Sequence, residues 1–171
     1  EAEAVEPGSQ GLFFHPYLQG ELTPYQDETL RGSFTGIRSY HTRAHFTRVV
    51  LEGVAYSLKD CLASFRETGA EIRQAGIIGG GAKGALWRQI VADMLQIPLT
   101  KAECDDSSLG SAMLAGVACG VFGDFRESVK RCVRPVGINY PNPKNAAFYE
   151  REFVRYQKIH DCLAEVYKLR E

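Results

Sequence analysis

AGIIGGGAKGALWRQIVADML, residues 75–95, runs a short apolar segment into three consecutive glycines and then into a helical pattern. A junction of this kind brings bare backbone up to a flat or anionic group, because glycine has no Cβ and a helix start offers free N–H groups. The phosphate-cradling Walker loop needs Ser or Thr after its lysine; Gly84 follows Lys83, so that loop is excluded. The dinucleotide fingerprint G-x-G-x-x-G, in contrast, is matched by Gly79, Gly81 and Gly84. Glu103 stands about 20 residues further on, where that fingerprint wants an acid for the ribose. Spacing alone leaves two nucleotide-binding readings open.

Working outward, residues 73–78 read as a strand, 85–95 as a helix and 98–102 as a second strand, one βαβ unit. Upstream, Phe46, Val49, Val50, Val54, Leu58, Leu62 and Phe65 recur at three and four. They predict an amphipathic helix over 42–68, closed by Gly69. Segments 11–18 and 33–37 read as short strands on either side of a turn-rich loop, 20–32. Downstream, Asp105, Asp106 and Ser107 supply cap chemistry for a helix over 108–119, closed by Gly120. Small residues run along that helix: Ser108, Gly110, Ser111, Ala112, Ala115, Gly116 and Cys119, a face that another helix can approach closely. Segment 133–138 is the one candidate for a third strand and contains Pro135; a last amphipathic helix is expected over 145–170. A long helix before the glycines and no clear third strand after them both weigh against a dinucleotide-binding domain.

A chain of 171 residues suffices for one domain with its own core, burying roughly 70% of its unfolded surface. The net charge of −1 gives no footprint for nucleic acid or a membrane surface, so a small molecule or a protein is the expected partner. No apolar run is long enough to span a bilayer and no signal peptide is visible. Five cysteines, at 61, 104, 119, 132 and 162, include no C-x-x-C and predict reduced, buried thiols in a cytoplasmic protein. The chain opens on Glu1-Ala2-Glu3-Ala4-Val5 without methionine, as a piece of a longer polypeptide would.

Four ordered blocks carry a family likeness: GLFFHPYLQGELTP, RGSFTGI with HTRAHFTRVVLEGVAYSLKD, IIGGGAKGALWRQIVADML, and SSLGSAMLAGVACGVF. With the FYEREFVRYQKIH helix they cover nearly all of residues 5–169. The chain resembles the C-terminal domain of FGGY-family carbohydrate kinases, and within the family the xylulokinase branch. The resemblance implies an α/β fold of the actin-like, Hsp70-like (ribonuclease H-like) ATPase type, a mixed sheet with flanking helices. Residues 1–171 would be the C-terminal nucleotide-binding lobe, with the sugar-binding and catalytic lobe upstream. It implies ATP and Mg²⁺ as cofactors, phosphoryl transfer to a sugar hydroxyl, D-xylulose first, and a homodimeric full-length enzyme.

On this likeness Gly79, Gly80, Gly81, Ala82, Lys83 and Gly84 lie against the adenosine. The small-residue stripe, with Gly110, Ser111, Ala112 and Ala115, is expected to pack against a hinge helix of the other lobe. No catalytic residue and no metal ligand is expected within the chain. Leu22 replaces the arginine of the family's Gly-Glu-Arg-Thr-Pro, and position 85 is alanine, so contacts to the base come from backbone or apolar packing. A non-catalytic nucleotide-sensing or interaction module and an NAD-binding domain are the alternatives.

Other residues have plainer readings. Trp87 on the first helical turn either flanks the base or is a packed anchor. His41 and His45 are four apart but lack a third ligand. Glu21, Asp27, Asp105 and Asp106 read as turn and cap carboxylates rather than general bases. Glu52 reads as the anchor of a neighbouring loop.

Overall fold

The computed structural model describes residues 1–104 and 106–169. Asp105, expected in a helix cap, and Arg170, the expected end of the last helix, lie outside them.

Helix α1 (Arg43–Glu67) begins after Thr42, whose backbone is extended and whose N–H donates to His45 Nδ1 at 3.2 Å. It ends before Gly69, whose φ of +83° a residue with a Cβ reaches only under strain. The expected apolar stripe is only half inside. Val49 and Leu62 are buried, whereas Val50, Leu58 and Phe65 are 36%, 41% and 57% exposed. The interior takes Arg48, Glu52 and Asp60 instead, polar groups that periodicity assigns to the surface and that the fold pairs internally, together with Tyr56, whose buried hydroxyl has no partner among the described residues. Glu52 Oε1 accepts from Gly8 N–H and Arg48 Nε, and Oε2 from Ser9 Oγ, all at 2.9 Å. The Tyr149 hydroxyl donates to the same carboxylate at 2.8 Å. Glu52 thus anchors a neighbouring loop, residues 8–9, as its place in the sequence suggests.

Strand β1 (Phe13–His15) crosses α1 at Gly53, where an added Cβ would sit 2.2 Å from the Phe14 carbonyl oxygen. It pairs antiparallel with β2 (Ser33–Thr35), Phe14 opposite Phe34. The βαβ unit forms as expected: β3 (Ala75–Ile77), α2 (Ala85–Leu95) and β4 (Leu99–Ala102), with β3 and β4 parallel and Ala75 opposite Leu99. Helices α3 (Ser108–Ala118) and α4 (Phe125–Cys132) follow, then β5 (Pro135–Asn139) and α5 (Pro143–Lys168).

Three expectations are corrected here. The doubtful third strand exists: Pro135 is the first residue of β5 on the open side of the sheet, where a missing N–H costs no interior ladder bond. Because β5 runs antiparallel to β4, the sheet is mixed and the βαβαβ run of a dinucleotide domain is ruled out. Helix α4, unforeseen in the sequence, is capped by Asp124, whose Oδ1 accepts from Glu127 N–H at 2.7 Å. Finally, no cysteine is buried. Cys104 follows β4 and Cys119 closes α3, both exposed; Cys162 is exposed and Cys61 and Cys132 half-buried, on helix positions that face wholly or partly outward.

The core lies between α1, α2 and α5, where Tyr56, Tyr149, Phe153 and Tyr156 meet Ile90, Val91 and Met94. Asp93, 2% exposed, ties α2 to the start of α5 by accepting from Asn142 N–H at 2.7 Å and Asn145 Nδ2 at 2.8 Å. No helix among the described residues is long and apolar enough to cross a membrane.

His15 sits inside at 1% exposure, with Nε2 3.0 Å from the Tyr156 carbonyl oxygen. Burial lowers its pKa from 6.5 to about 4, and the nearby His160 works in the same direction. A depressed histidine contributes stability that is complete above its unfolded pKa and is lost as the pH falls through the folded one. A shift of that size corresponds to about 3 kcal/mol. Buried Asp60 works with the opposite sign, since burial raises its pKa and acid relieves it. The His15 contribution is therefore read as a difference. Between pH 7 and pH 4 the chain should lose about 3 kcal/mol relative to His15→Gln, by urea unfolding at each pH; a pH-independent difference would refute the assignment.

Candidate functional site

β3 ends at Ile77, and the chain turns at Gly79 (φ +78°) into a single 3₁₀ turn, Gly80–Lys83. Helix α2 then starts from Gly84 without a capping side chain. Its first-turn N–H groups consequently face the loop unclaimed by any side chain, with the positive end of the helix dipole behind them. The loop is held from beneath. Ala82 is completely buried, its N–H donates to Gly79 O at 3.0 Å, and its carbonyl accepts from Arg88 Nη1 at 2.5 Å. Arg88 in turn donates through Nε to Asn139 Oδ1 at 3.1 Å, so the end of β5 braces the loop as well.

Trp87 lies across Gly81. A Cβ there would meet the indole Nε1 at 2.7 Å, whereas a Cβ on Gly80 would meet nothing within 4 Å. Facing the loop is one side of α1. Val50, Leu51 and Val54, with Gly80, Gly81, Gly84 and Trp87, enclose an apolar trough of about 300 Å³. The structure thus brings Gly80, Gly81 and Gly84 to the trough, places Gly79 at the turn that aims it, and puts Ala82 underneath. Lys83 is exposed on the loop and does not line the trough. Sequence reasoning did not find the α1 wall or the Arg88 clamp. Val50 and Val54 read as core positions, and their partial exposure is visible only in the fold.

The small-residue helix is elsewhere. α3 packs on α4 and buries none of its residues; Ser111, Ala112 and Ala115 are exposed, Gly110 is half-buried, and none lines the trough. Gly116, in the last turns of α3, makes room for the turn to α4, since a Cβ there would meet the Phe122 ring at 2.6 Å.

The carboxylates have local tasks. Asp27 accepts from the Thr29 hydroxyl at 2.6 Å and its N–H at 2.8 Å, bonds that hold its carboxyl below the usual carboxylate range. Asp106 is lowered in the same way by Ser108. A general base near neutrality needs the opposite shift. Glu21 closes its own turn by accepting from Leu22 N–H at 2.9 Å. A larger concavity of about 620 Å³ in this loop is lined by residues of the loop itself, Glu21 and Asp27 among them, so it reads as a fold in the surface. His41 and His45 each spend Nδ1 on backbone N–H groups, of Arg38 and Thr42.

Comparison with known proteins converges on one family. The C-terminal domain of the FGGY family of carbohydrate kinases matches residues 1–119. A xylulose kinase of Bacillus subtilis is 36% identical over 159 residues, 92% of this chain and 32% of that protein. The crystal structure of a ligand-bound xylulose kinase from Lactobacillus acidophilus superposes with a TM-score of 0.90 at 30% identity, over 99% of this chain and 35% of that one. A gluconate kinase from Lactobacillus acidophilus follows at 0.89 and 30%, with the same coverage. The chain thus spans about a third of the length of the relatives it matches. A glycine loop at the end of a parallel strand, a mixed sheet and a profile match over most of the sequence agree, and the chain belongs to the FGGY family of carbohydrate kinases.

Proposed function

We propose that residues 1–171 form the C-terminal nucleotide-binding lobe of an ATP-dependent carbohydrate kinase. In the whole enzyme an upstream lobe carries the sugar site and the catalytic base, and the γ-phosphoryl group of ATP passes to a sugar hydroxyl. The observation that carries this reading is the glycine loop set against an apolar trough. The trough suits the faces of a purine and ribose, and the unclaimed N–H groups at the start of α2 suit the phosphates. Positioning and charge stabilisation supply most of phosphoryl-transfer catalysis, so half a site on each lobe makes chemical sense. D-xylulose is the first candidate acceptor, because xylulose kinases of Bacillus subtilis and Staphylococcus epidermidis are 36–38% identical over more than nine-tenths of this chain. A gluconokinase of Bacillus licheniformis at 36% makes gluconate the competitor.

Among the described residues no group of three or more His, Cys, Asp or Glu side chains could hold a metal ion. On this reading Mg²⁺ sits on the nucleotide phosphates and on upstream carboxylates, the arrangement it generally adopts. The cytoplasm is the compartment this reading expects, where ATP is present and exposed thiols stay reduced.

The test compares the whole enzyme with residues 1–171 alone, with ATP and either D-xylulose or D-gluconate. The whole enzyme should release ADP only with its sugar, and the fragment should release none. Sugar-dependent ADP release by the fragment would remove the upstream lobe from the mechanism.

The same reading assigns a role to α3. Leu114 on α3 is 58% exposed, and Val121, Phe125 and Val129 in the turn and α4 that follow are 61%, 55% and 48% exposed, an apolar surface that a neighbour can cover. We assign it to packing against the rest of the enzyme, with Gly110, Ser111, Ala112 and Ala115 letting a helix come close. Ala112→Leu should then lower turnover of the whole enzyme severalfold, since overpacking a tight contact costs about 1–3 kcal/mol. The fragment's melting temperature should not move, because Ala112 is exposed in it. Unchanged turnover would sink the assignment.

A further inference from the structure

The trough has walls but almost no polar groups. Val50, Leu51 and Val54 on one side and Gly80, Gly81 and Trp87 on the other offer hydrocarbon, bare backbone and one indole. The polar side chains around it are committed elsewhere. Arg88 is spent on the Ala82 carbonyl and Asn139, and Gln89 on Asp93 and Tyr140. Lys83 is exposed on the loop and does not line the trough. Trp87 Nε1–H is the only side-chain hydrogen-bonding group among the residues that line the trough, and it is a donor with no acceptor function.

Adenine and guanine differ at their edges, in an exocyclic amine against a carbonyl and in the extra amine of guanine, while their faces are alike. A site discriminates strongly only where buried polar groups would be left unpaired by the wrong ligand; an apolar slot discriminates weakly. Stacking on an aromatic or aliphatic wall tolerates any base, because every base has a π-face. At about 300 Å³ the trough is at the lower end of small-molecule sites, about 300–1,000 Å³, and suits a base more than a whole nucleotide.

We propose that this lobe holds its nucleotide by the faces of the base and not by its edges, so that adenine and guanine nucleotides bind alike, with Trp87 as the anchor on which the base is positioned. The inference rests on the nucleotide-site reading above and adds what that site does not select. Trp87 is the only tryptophan in the chain, so its emission reports occupancy of the trough without interference.

The experiment measures ADP and GDP binding to the chain by calorimetry, with Trp87 fluorescence followed in parallel. Dissociation constants within about tenfold of each other, each accompanied by a change in Trp87 emission, are the expected result. A preference for ADP larger than that, with Trp87 still responding, overturns base tolerance while leaving the nucleotide site in place. Absence of binding, or binding that leaves Trp87 emission unchanged, overturns the nucleotide site itself. Trp87→Phe supplies a second readout through displacement of a fluorescent ADP analogue. It keeps an aromatic wall and removes the one donor, so it should weaken ADP and GDP by the same factor; a loss confined to one of them would show that the indole reads the base edge.

Discussion

Glu52→Ala should cost the chain about 3–5 kcal/mol of folding stability, the range observed when one member of a buried ion pair is removed. Glu52 is 1% exposed and accepts from Gly8, Ser9, Arg48 and Tyr149 at once. The substitution leaves the Arg48 guanidinium, itself 5% exposed, with only the Tyr149 hydroxyl at 3.0 Å, and releases the turn at residues 8–9. Two consequences separate this from a general loss of packing. Glu52→Gln retains the volume and one acceptor oxygen, so it should lose less. Replacing the pair together, Arg48→Met with Glu52→Leu, should recover much of the loss, because no buried charge is then orphaned. Urea unfolding of the wild type, Arg48→Met, Glu52→Leu and the double variant closes the cycle. A single-mutant loss below about 1 kcal/mol would mean that the N-terminal segment is fastened by something other than this carboxylate. The functional link is geometric. Val50, Leu51 and Val54, which wall the trough, flank Glu52 on the same helix, so loosening the helix on its inner side displaces the wall on its outer side.

Where the sequence carries local punctuation, the elements are legible to within a residue or two. Thr42 and Gly69 bracket α1, and the change from apolar run to glycines to periodic pattern delimits β3, the loop and α2. Where local signals conflict, the reading shifts. α5 starts at Pro143 and not at residue 145, because Asn142-Pro143 is turn chemistry and helix-start chemistry at once: Asn142 caps and Pro143 takes the first helical position. α4 is short and polar, so periodicity passes over it, although Asp124 and Glu127 stand at capping-box spacing. The larger difference concerns what lies inside. Burial of Arg48, Glu52, Asp60, Asp93 and His15 depends on partners distant in sequence, and no window of residues shows them. The same applies to the site. Its glycines are legible because their spacing is local, whereas its α1 wall is legible only once β3, α2 and α1 are packed together. An exposed valine and a buried one have the same place in a helical repeat.

Gly81→Val should raise the Michaelis constant of the whole kinase for ATP by about 5- to 150-fold while changing that for the sugar much less. Bare backbone against a purine is one reason for a glycine here, and the structure adds a second. The missing Cβ of Gly81 is where the Trp87 indole rests, 2.7 Å from that position, so a branched side chain must push the ring aside or lift the loop off its Arg88 clamp. Either movement closes or reshapes the trough. Overpacking of this kind costs about 1–3 kcal/mol, equivalent to about 5- to 150-fold in a binding constant. Backbone strain is a minor part, because the positive φ of the loop belongs to Gly79 and not to Gly81. Gly80→Ala is the matched control: its Cβ meets nothing within 4 Å, so stability should be unchanged and any rise in the Michaelis constant for ATP then measures contact with the nucleotide alone. Steady-state kinetics with each substrate varied in turn, alongside the melting temperatures of the variants, distinguish the cases. Equal increases for ATP and sugar in Gly81→Val would make the loop an architectural turn, and the trough would lose its claim to the base.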